Sequence, residues 1–184
     1  LLTKDYQTTD TLDKEGYIIT DKTSFYAQAG GQVGDIGSIE IDGEAVAKIS
    51  DTQKPLEKIY LHKVNVIKGA LRKGQAIMLE VDPVARFKAA ANHSAVHVLN
   101  AALRTILGDE VHQAGSFVSP EKLRFDYTIS TPPTPAQLLA VWGVANSIIE
   151  QYLKVETQVR PLKDAKELGA TVLLGETYAD PARF

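Results

Sequence analysis

The 184-residue chain has no cysteine, one methionine and one tryptophan. Without cysteine it can build no disulfide, no thiol nucleophile and no thiolate metal site of its own. No apolar run approaches the ~20 residues that a membrane-spanning helix needs. The opening LLTKDYQTTD lacks the basic-then-apolar layout of a secretory signal, which leaves a cytoplasmic location as the expectation. Positive charge is not in excess: 20 Lys and Arg against 23 Asp and Glu give a net charge of −3. A broad basic face for sequence-independent nucleic-acid binding is therefore excluded, but one RNA pocket is not. Internal repeats and low-complexity tracts are also missing. What remains is an ordinary globular composition, 44% hydrophobic and 23% charged. A chain of this length can bury roughly 70% of its unfolded surface and needs no staples to fold.

Residues 1–82 have β character. Tyr17 to Thr20 suits a strand, and Ser24-Phe25-Tyr26 a second after a tip at Asp21-Lys22. Four glycines between Gly30 and Gly37 exclude a helix and indicate tight turns or close backbone approach. Asp35–Ile41 and Glu44–Ile49 flank Asp42-Gly43, a strong hairpin signal. Ile59–Ile67 and Gln75–Val81 complete a set of short strands that predicts a small barrel. At Asp82-Pro83 the period changes, with Asp as N-cap and Pro at the first helical position. Val84, Phe87, Ala91, Ala95, Val98, Ala102 and Ile106 predict the packed stripe of a helix that Gly108 ends. Val111–Val118 and Glu121–Thr128 predict an antiparallel pair. Thr134-Pro135-Ala136-Gln137 predicts a capping box for a helix to about Lys154. A strand at Val155–Arg160, a short helix at Lys163–Leu168 and a strand at Thr171–Leu174 follow. The predicted class is α+β: a small glycine-rich β-barrel subdomain, 1–82, then an α+β subdomain, 83–184.

Three segments carry polar chemistry. His93 and His97 stand at i and i+4 on one helix, with Cβ atoms about 5–6 Å apart. They can converge on one zinc ion or be two unrelated histidines, about evenly by spacing alone. Ser94 stands where a H-E-x-x-H peptidase carries its Glu base, which disfavours that chemistry. Gly30-Gly31-Gln32 can form a backbone nest for phosphate or carbonyl oxygens, or merely a tight corner. It is no Walker loop, because no Gly-Lys-Ser/Thr follows. His112-Gln113-Ala114-Gly115-Ser116 can line a pocket or form an edge strand. Arg124 and Asp126 share a strand face and can pair, and Thr23 and Ser24 are turn hydroxyls unless a site recruits them.

Together the segments resemble the editing domain of alanyl-tRNA synthetases and its freestanding trans-editing deacylase relatives. The resemblance rests on Thr23-Ser24-Phe25-Tyr26-Ala27-Gln28-Ala29-Gly30-Gly31-Gln32-Val33-Gly34-Asp35, Asn92-His93-Ser94-Ala95-Val96-His97, Gln113-Ala114-Gly115-Ser116 and Leu123-Arg124-Phe125-Asp126, in order over nearly the whole chain. Asn92-His93-Ser94, Leu123 to Asp126, Glu167-Leu168-Gly169-Ala170 and Gly175-Glu176-Thr177-Tyr178 are closer to the synthetase-embedded form. Gln28 departs from the family pattern, which commonly has Glu there.

The resemblance implies an editing fold shared with threonyl-tRNA synthetases. It implies hydrolysis of the ester joining serine or glycine to alanine-specific tRNA. His93 and His97 match two zinc ligands, and the other two, in a Cys-x-x-x-His motif, are expected beyond Phe184. The chain alone is therefore expected to fold without metal, bind little zinc and hydrolyse weakly. Thr23 and Gln113 are the implied catalytic residues; Gly30, Gly31, Gln32, Ser116, Arg124 and Asp126 are the implied residues for the tRNA end. The expected partners are the aminoacylated acceptor end of tRNA(Ala) and the rest of a parent synthetase, with no membrane. ATP and magnesium belong to the parent's ligase part. The alternatives are a piece of a freestanding deacylase, or an RNA-end binding or structural module without turnover.

Overall fold

A computed structural model describes residues 1–170 and 179–183. Two compact units make up the chain: Leu1–Asn100 with Ala114–Tyr127, and Ala101–Gln113 with Thr128–Phe184.

The first unit is built on a six-stranded sheet in the order β1-β3-β6-β5-β4-β8, every neighbour antiparallel. Its strands are β1 (Leu2–Thr3), β3 (Glu15–Ile18), β4 (Gly37–Ile41), β5 (Glu44–Leu56), β6 (Ile59–Val66) and β8 (Met78–Val81). Two short strands, β2 (Thr11–Leu12) and β7 (Leu71–Arg72), pair separately. Among the described residues no pairing joins β1 to β8, so the ladder is an open sheet rather than the predicted barrel. The β4–β5 turn falls on Asp42-Gly43, with φ of 53° and 79°. Both central residues are left-handed, as a two-residue hairpin of this hand requires. Ile18, Ile39, Ala47, Ile49 and Val64 form the core with Leu12, Phe25 and Leu71.

Three sequence expectations change here. Ser24-Phe25-Tyr26 is not a strand; Phe25 is buried in the core while the chain passes in irregular form. β5 runs on to Leu56 through Ser50 to Pro55, a polar stretch without the alternation that identifies a strand from sequence. The Asp51 to Gln53 part is held by pairing with β6 instead.

The third concerns the long helix α1 (Pro83–Leu107). Its start is as predicted: Asp82 Oδ1 accepts from the Val84 and Ala85 N–H groups, 2.9 Å each. The apolar stripe is not as predicted. Phe87 is 74% exposed, and Val84 is also exposed. The buried positions are Ala89, Val96, Ala102 and Leu103. Asn92 and His93 share that face and are bonded through it. Periodicity counts polar side chains as outward, and here they are the inward contacts.

β9 (His112–Val118) and β10 (Leu123–Thr128) pair as expected. In the second unit α2 (Pro135–Ile149) begins at a complete Thr134–Gln137 capping box. It ends short of Lys154; the chain leaves it through Tyr152, at φ 50°. The strand expected at Val155–Arg160 shrinks to β11 (Val159–Arg160), paired with β12 (Ala182–Arg183). α3 is Leu162–Glu167. The predicted strand Thr171–Leu174 and the Gly175 to Tyr178 motif lie outside the described residues.

Candidate functional site

In the first unit the glycine loop is drawn into a tight turn. Ala29 and Gln32 exchange backbone hydrogen bonds of 2.9 and 3.2 Å around Gly30 (φ 55°) and Gly31 (φ 80°). Two left-handed positions in a row favour glycine, the only residue that adopts them without a Cβ clash. The loop is then tied to the end of β9: the Val118 N–H donates to Gly31 O (2.8 Å) and the Val33 N–H to Val118 O (3.0 Å). A Cβ on Gly31 would stand 2.5 Å from Ser116 Oγ. A Cβ on Gly115 would stand 3.1 Å from Asp126 Oδ2. Backbone approach, not side-chain contact, is what the glycines provide.

Helix α1 meets this loop through side chains. Arg86 Nε donates to both carboxylate oxygens of the buried Asp35 at 3.0 Å, and Arg86 Nη2 donates to Ser24 O at 2.9 Å. Asp35 also accepts the Tyr26 N–H at 2.6 Å. The carboxylate holds the Arg86 guanidinium above its usual pKa. Two turns further along α1, His93 Nδ1 lies 2.7 Å from Gln32 Oε1, and Asn92 Nδ2 donates to Ser119 O at 2.8 Å. The His93 and His97 rings have centroids 5.4 Å apart.

An amide oxygen only accepts, so His93 Nδ1 carries the proton in this contact. With Nδ1 so engaged, Nε2 is the ring nitrogen that a metal would take. The two rings, one helical turn apart, could supply two ligands to a metal such as zinc. Among the described residues no third imidazole or carboxylate joins them, so any further ligands come from elsewhere.

The sequence-selected residues divide as follows. Gly30, Gly31, Gln32, His93, His97 and Ser116 form one connected set, and Gly115 links it to Asp126. Arg124 Nε pairs with Asp126 Oδ2 at 3.1 Å, an exposed ion pair. Gln113 belongs to the second unit. Thr23 has a different partner: its Oγ1 lies 2.9 Å from Nε2 of the fully buried His62 and accepts the Phe25 N–H at 3.1 Å. Desolvation pushes the His62 pKa down, against a smaller opposing contact with Ile18 O. The sequence reading missed Arg86, and it weighed His62 only as a spare metal ligand, not as the buried partner of Thr23. Arg86 had a detectable signal: it lies seven residues before His93, on the same helix face, as Asp35 lies three after Gln32.

Beside this set is a cleft of about 700 Å³. It lies between the glycine loop at Val33 to Ile36, Ala85 and Ala89 of α1, and the β9–β10 turn at Phe117 to Lys122. That volume is within the range of small-molecule sites.

A sheet that presents a glycine loop to a histidine-bearing helix is thus the core of the site. Residues 2–85 match the family model of class II tRNA synthetases (A). The chain is 49% identical over its whole length to part of the alanine–tRNA ligase of Elusimicrobium minutum. It is 44% identical over 91% of its length to that of Acidithiobacillus ferridurans, and 46% identical over 90% to that of Pseudothermotoga lettingae. The chain is therefore homologous to a segment of the alanine–tRNA ligases. It spans about a fifth of the length of these relatives.

Proposed function

We propose that the chain is the part of an alanine–tRNA ligase that hydrolyses tRNA(Ala) wrongly charged with serine or glycine, in the cytoplasm. Residues 1–82 are then its glycine-rich part, built on the open antiparallel sheet, and 83–184 its α+β editing core. The observation that carries the reading is the Gln32–His93–His97 array closed by Gly31 against Ser116. A synthetic site for alanine cannot reject the smaller glycine by size, and an apolar pocket discriminates poorly against one added hydroxyl. A second, hydrolytic site corrects both errors.

His93 and His97 would hold zinc, with the remaining ligands from outside the described residues. When bound, the ion supplies Lewis-acid polarisation of the ester or its attacking water. Gln32 accepts from His93 Nδ1 and would so orient the ring for the ion. Gly30, with open space where a side chain would stand, lets the terminal ribose and its ester approach the backbone, and Gly31 lets the loop close against Ser116. The Ser116 hydroxyl and the Arg124 guanidinium bind the RNA end. Thr23 donates to His62 and accepts from the Phe25 N–H, so one lone pair remains. That lone pair accepts the hydroxyl proton of a seryl group, which an alanyl methyl cannot offer.

The test is deacylation of seryl-tRNA(Ala) by the full-length ligase carrying this segment. The His97→Ala enzyme should lose the hydrolysis and its zinc at this site while still charging alanine. Unchanged hydrolysis would refute the reading.

A further inference from the structure

We propose that a second cleft in the first unit, walled by Tyr6 and Tyr17, is a stacking site for an unpaired nucleotide of the RNA strand whose 3′ end lies at the glycine loop. The inference rests on the proposed function for the identity of the strand, and on its own geometry for the site.

The cleft has a volume of about 660 Å³. Tyr6 stacks on Tyr17 with centroids 4.7 Å apart and planes 14° from parallel, and the two hydroxyls are bonded at 3.1 Å. Tyr6 is nevertheless 60% exposed, and it sits at φ 60°. A left-handed backbone is costly for a bulky residue, and glycine or asparagine would close the same turn more cheaply. The turn is held by the Tyr6 N–H to Thr3 O (3.0 Å), the Thr3 N–H to Gln7 O (2.9 Å) and the Gln7 N–H to Thr3 Oγ1 (3.2 Å). Backbone strain is thus spent on an aromatic ring with a face turned to solvent. Such a ring is a platform on which any base can stack.

The other walls suit a nucleotide. Gln53 Nε2 donates to both Gln28 Oε1 and Asp51 Oδ2 at 2.7 Å, a fixed polar array against which a base edge can bond. Lys54 and Lys63 stand at the rim as phosphate partners, Lys63 in an exposed ion pair with Glu15 at 3.2 Å. Gln28 and Asp51 also line the cleft beside the glycine loop, so the two clefts share a wall there. A strand whose 3′ end lies at the glycine loop can continue past this wall into the second. Asp51 and Glu15 offset the two lysines, so stacking rather than phosphate contact supplies most of the affinity.

The test is fluorescence anisotropy of a 5′-fluorescein-labelled RNA tetranucleotide, ACCA, with the 184-residue chain. Tyr6→Gly removes the ring and relieves the left-handed strain, so thermal stability should be kept. Binding should weaken about fivefold or more. Tyr6→Trp should bind as well or better, and the salt dependence should be shallow, near that of one or two phosphate contacts. Tetranucleotide binding that Tyr6→Gly leaves unchanged, or that is undetectable in the unmodified chain, overturns the proposal. So does equal affinity for a short RNA duplex. The two readings fail separately: normal seryl-tRNA(Ala) hydrolysis by the His97→Ala ligase would remove the editing function, while the anisotropy series still decides the platform.

Discussion

The two units bond their side chains over different distances along the chain. In the first, Asp35 meets Arg86, Gln32 meets His93, and Thr23 meets His62. These partners are 39 to 61 residues apart in sequence. In the second, the ion pairs Arg104–Asp109, Lys154–Glu156 and Lys163–Glu167 join near neighbours on the surface, and the exposed bonds Ser130–Glu110 and Arg183–Thr157 span 20 and 26 residues. Apolar side chains such as Trp142, Leu139 and Tyr152 stand exposed there. Long-range ties fix side chains to within a fraction of an ångström, and surface pairs do not. The candidate site is found where the long-range ties converge.

The sharpest break between the units should come from two glycines. A Cβ on Gly34 would collide with the backbone of Thr52, which belongs to β5 and cannot yield. Gly34→Ala should cost more than ~3 kcal/mol, enough to unfold the first unit at moderate temperature. Gly143 is in α2 with open space around it, and Gly143→Ala should stabilise by about 0.5–1 kcal/mol. Chemical denaturation followed by circular dichroism would check both.

Asp35→Asn should be next. It leaves the Arg86 guanidinium without its charged partner, though Arg86 is partly exposed and water screens part of the loss. About 2 kcal/mol is expected from the same denaturation curves. Arg104→Ala, which breaks the exposed pair with Asp109, should change stability by less than ~0.5 kcal/mol.

Gln32→Ala should weaken zinc binding by the full-length ligase about tenfold or more, through the lost orientation of His93. Competition with a chromophoric chelator would measure it.

The smallest effect is a pH slope. Burial lowers the His62 pKa, so below about 6.5 the unfolded chain binds a proton that the folded one refuses. Stability should fall as pH drops from about 6.5 to the folded pKa, and this contribution should be flat above that window. His62→Gln should flatten the slope; an unaltered slope would locate the proton uptake elsewhere.

How much of this was legible in the sequence depended on what the chain encodes locally. Asp42-Gly43, the Asp82 cap and the Thr134–Gln137 box act within a few residues, and the structure has all three. The apolar face of α1 was misplaced because alanine is abundant all round the helix and the contacts that orient it are polar. β5 beyond Ile49 was invisible because its pairing partner, not its own pattern, makes it a strand. The site shows the same limits. Gly31, Gln32, His93, His97 and Ser116 were chosen as motif residues, and the fold gathers them. Nothing in the sequence said that Thr23 would be held by His62, since that bond joins an irregular segment to a strand 39 residues further on.

In the proposed function the glycine loop and the α1 histidines act as one hydrolytic site. Single-turnover hydrolysis of seryl-tRNA(Ala) by the full-length ligase tests it most directly, comparing Gln32→Ala, His97→Ala and the double variant. Residues that serve one unit lose activity non-additively. The double variant should then be no slower than His97→Ala alone. Losses that multiply as independent factors, or single variants that hydrolyse at the unmodified rate, would contradict it.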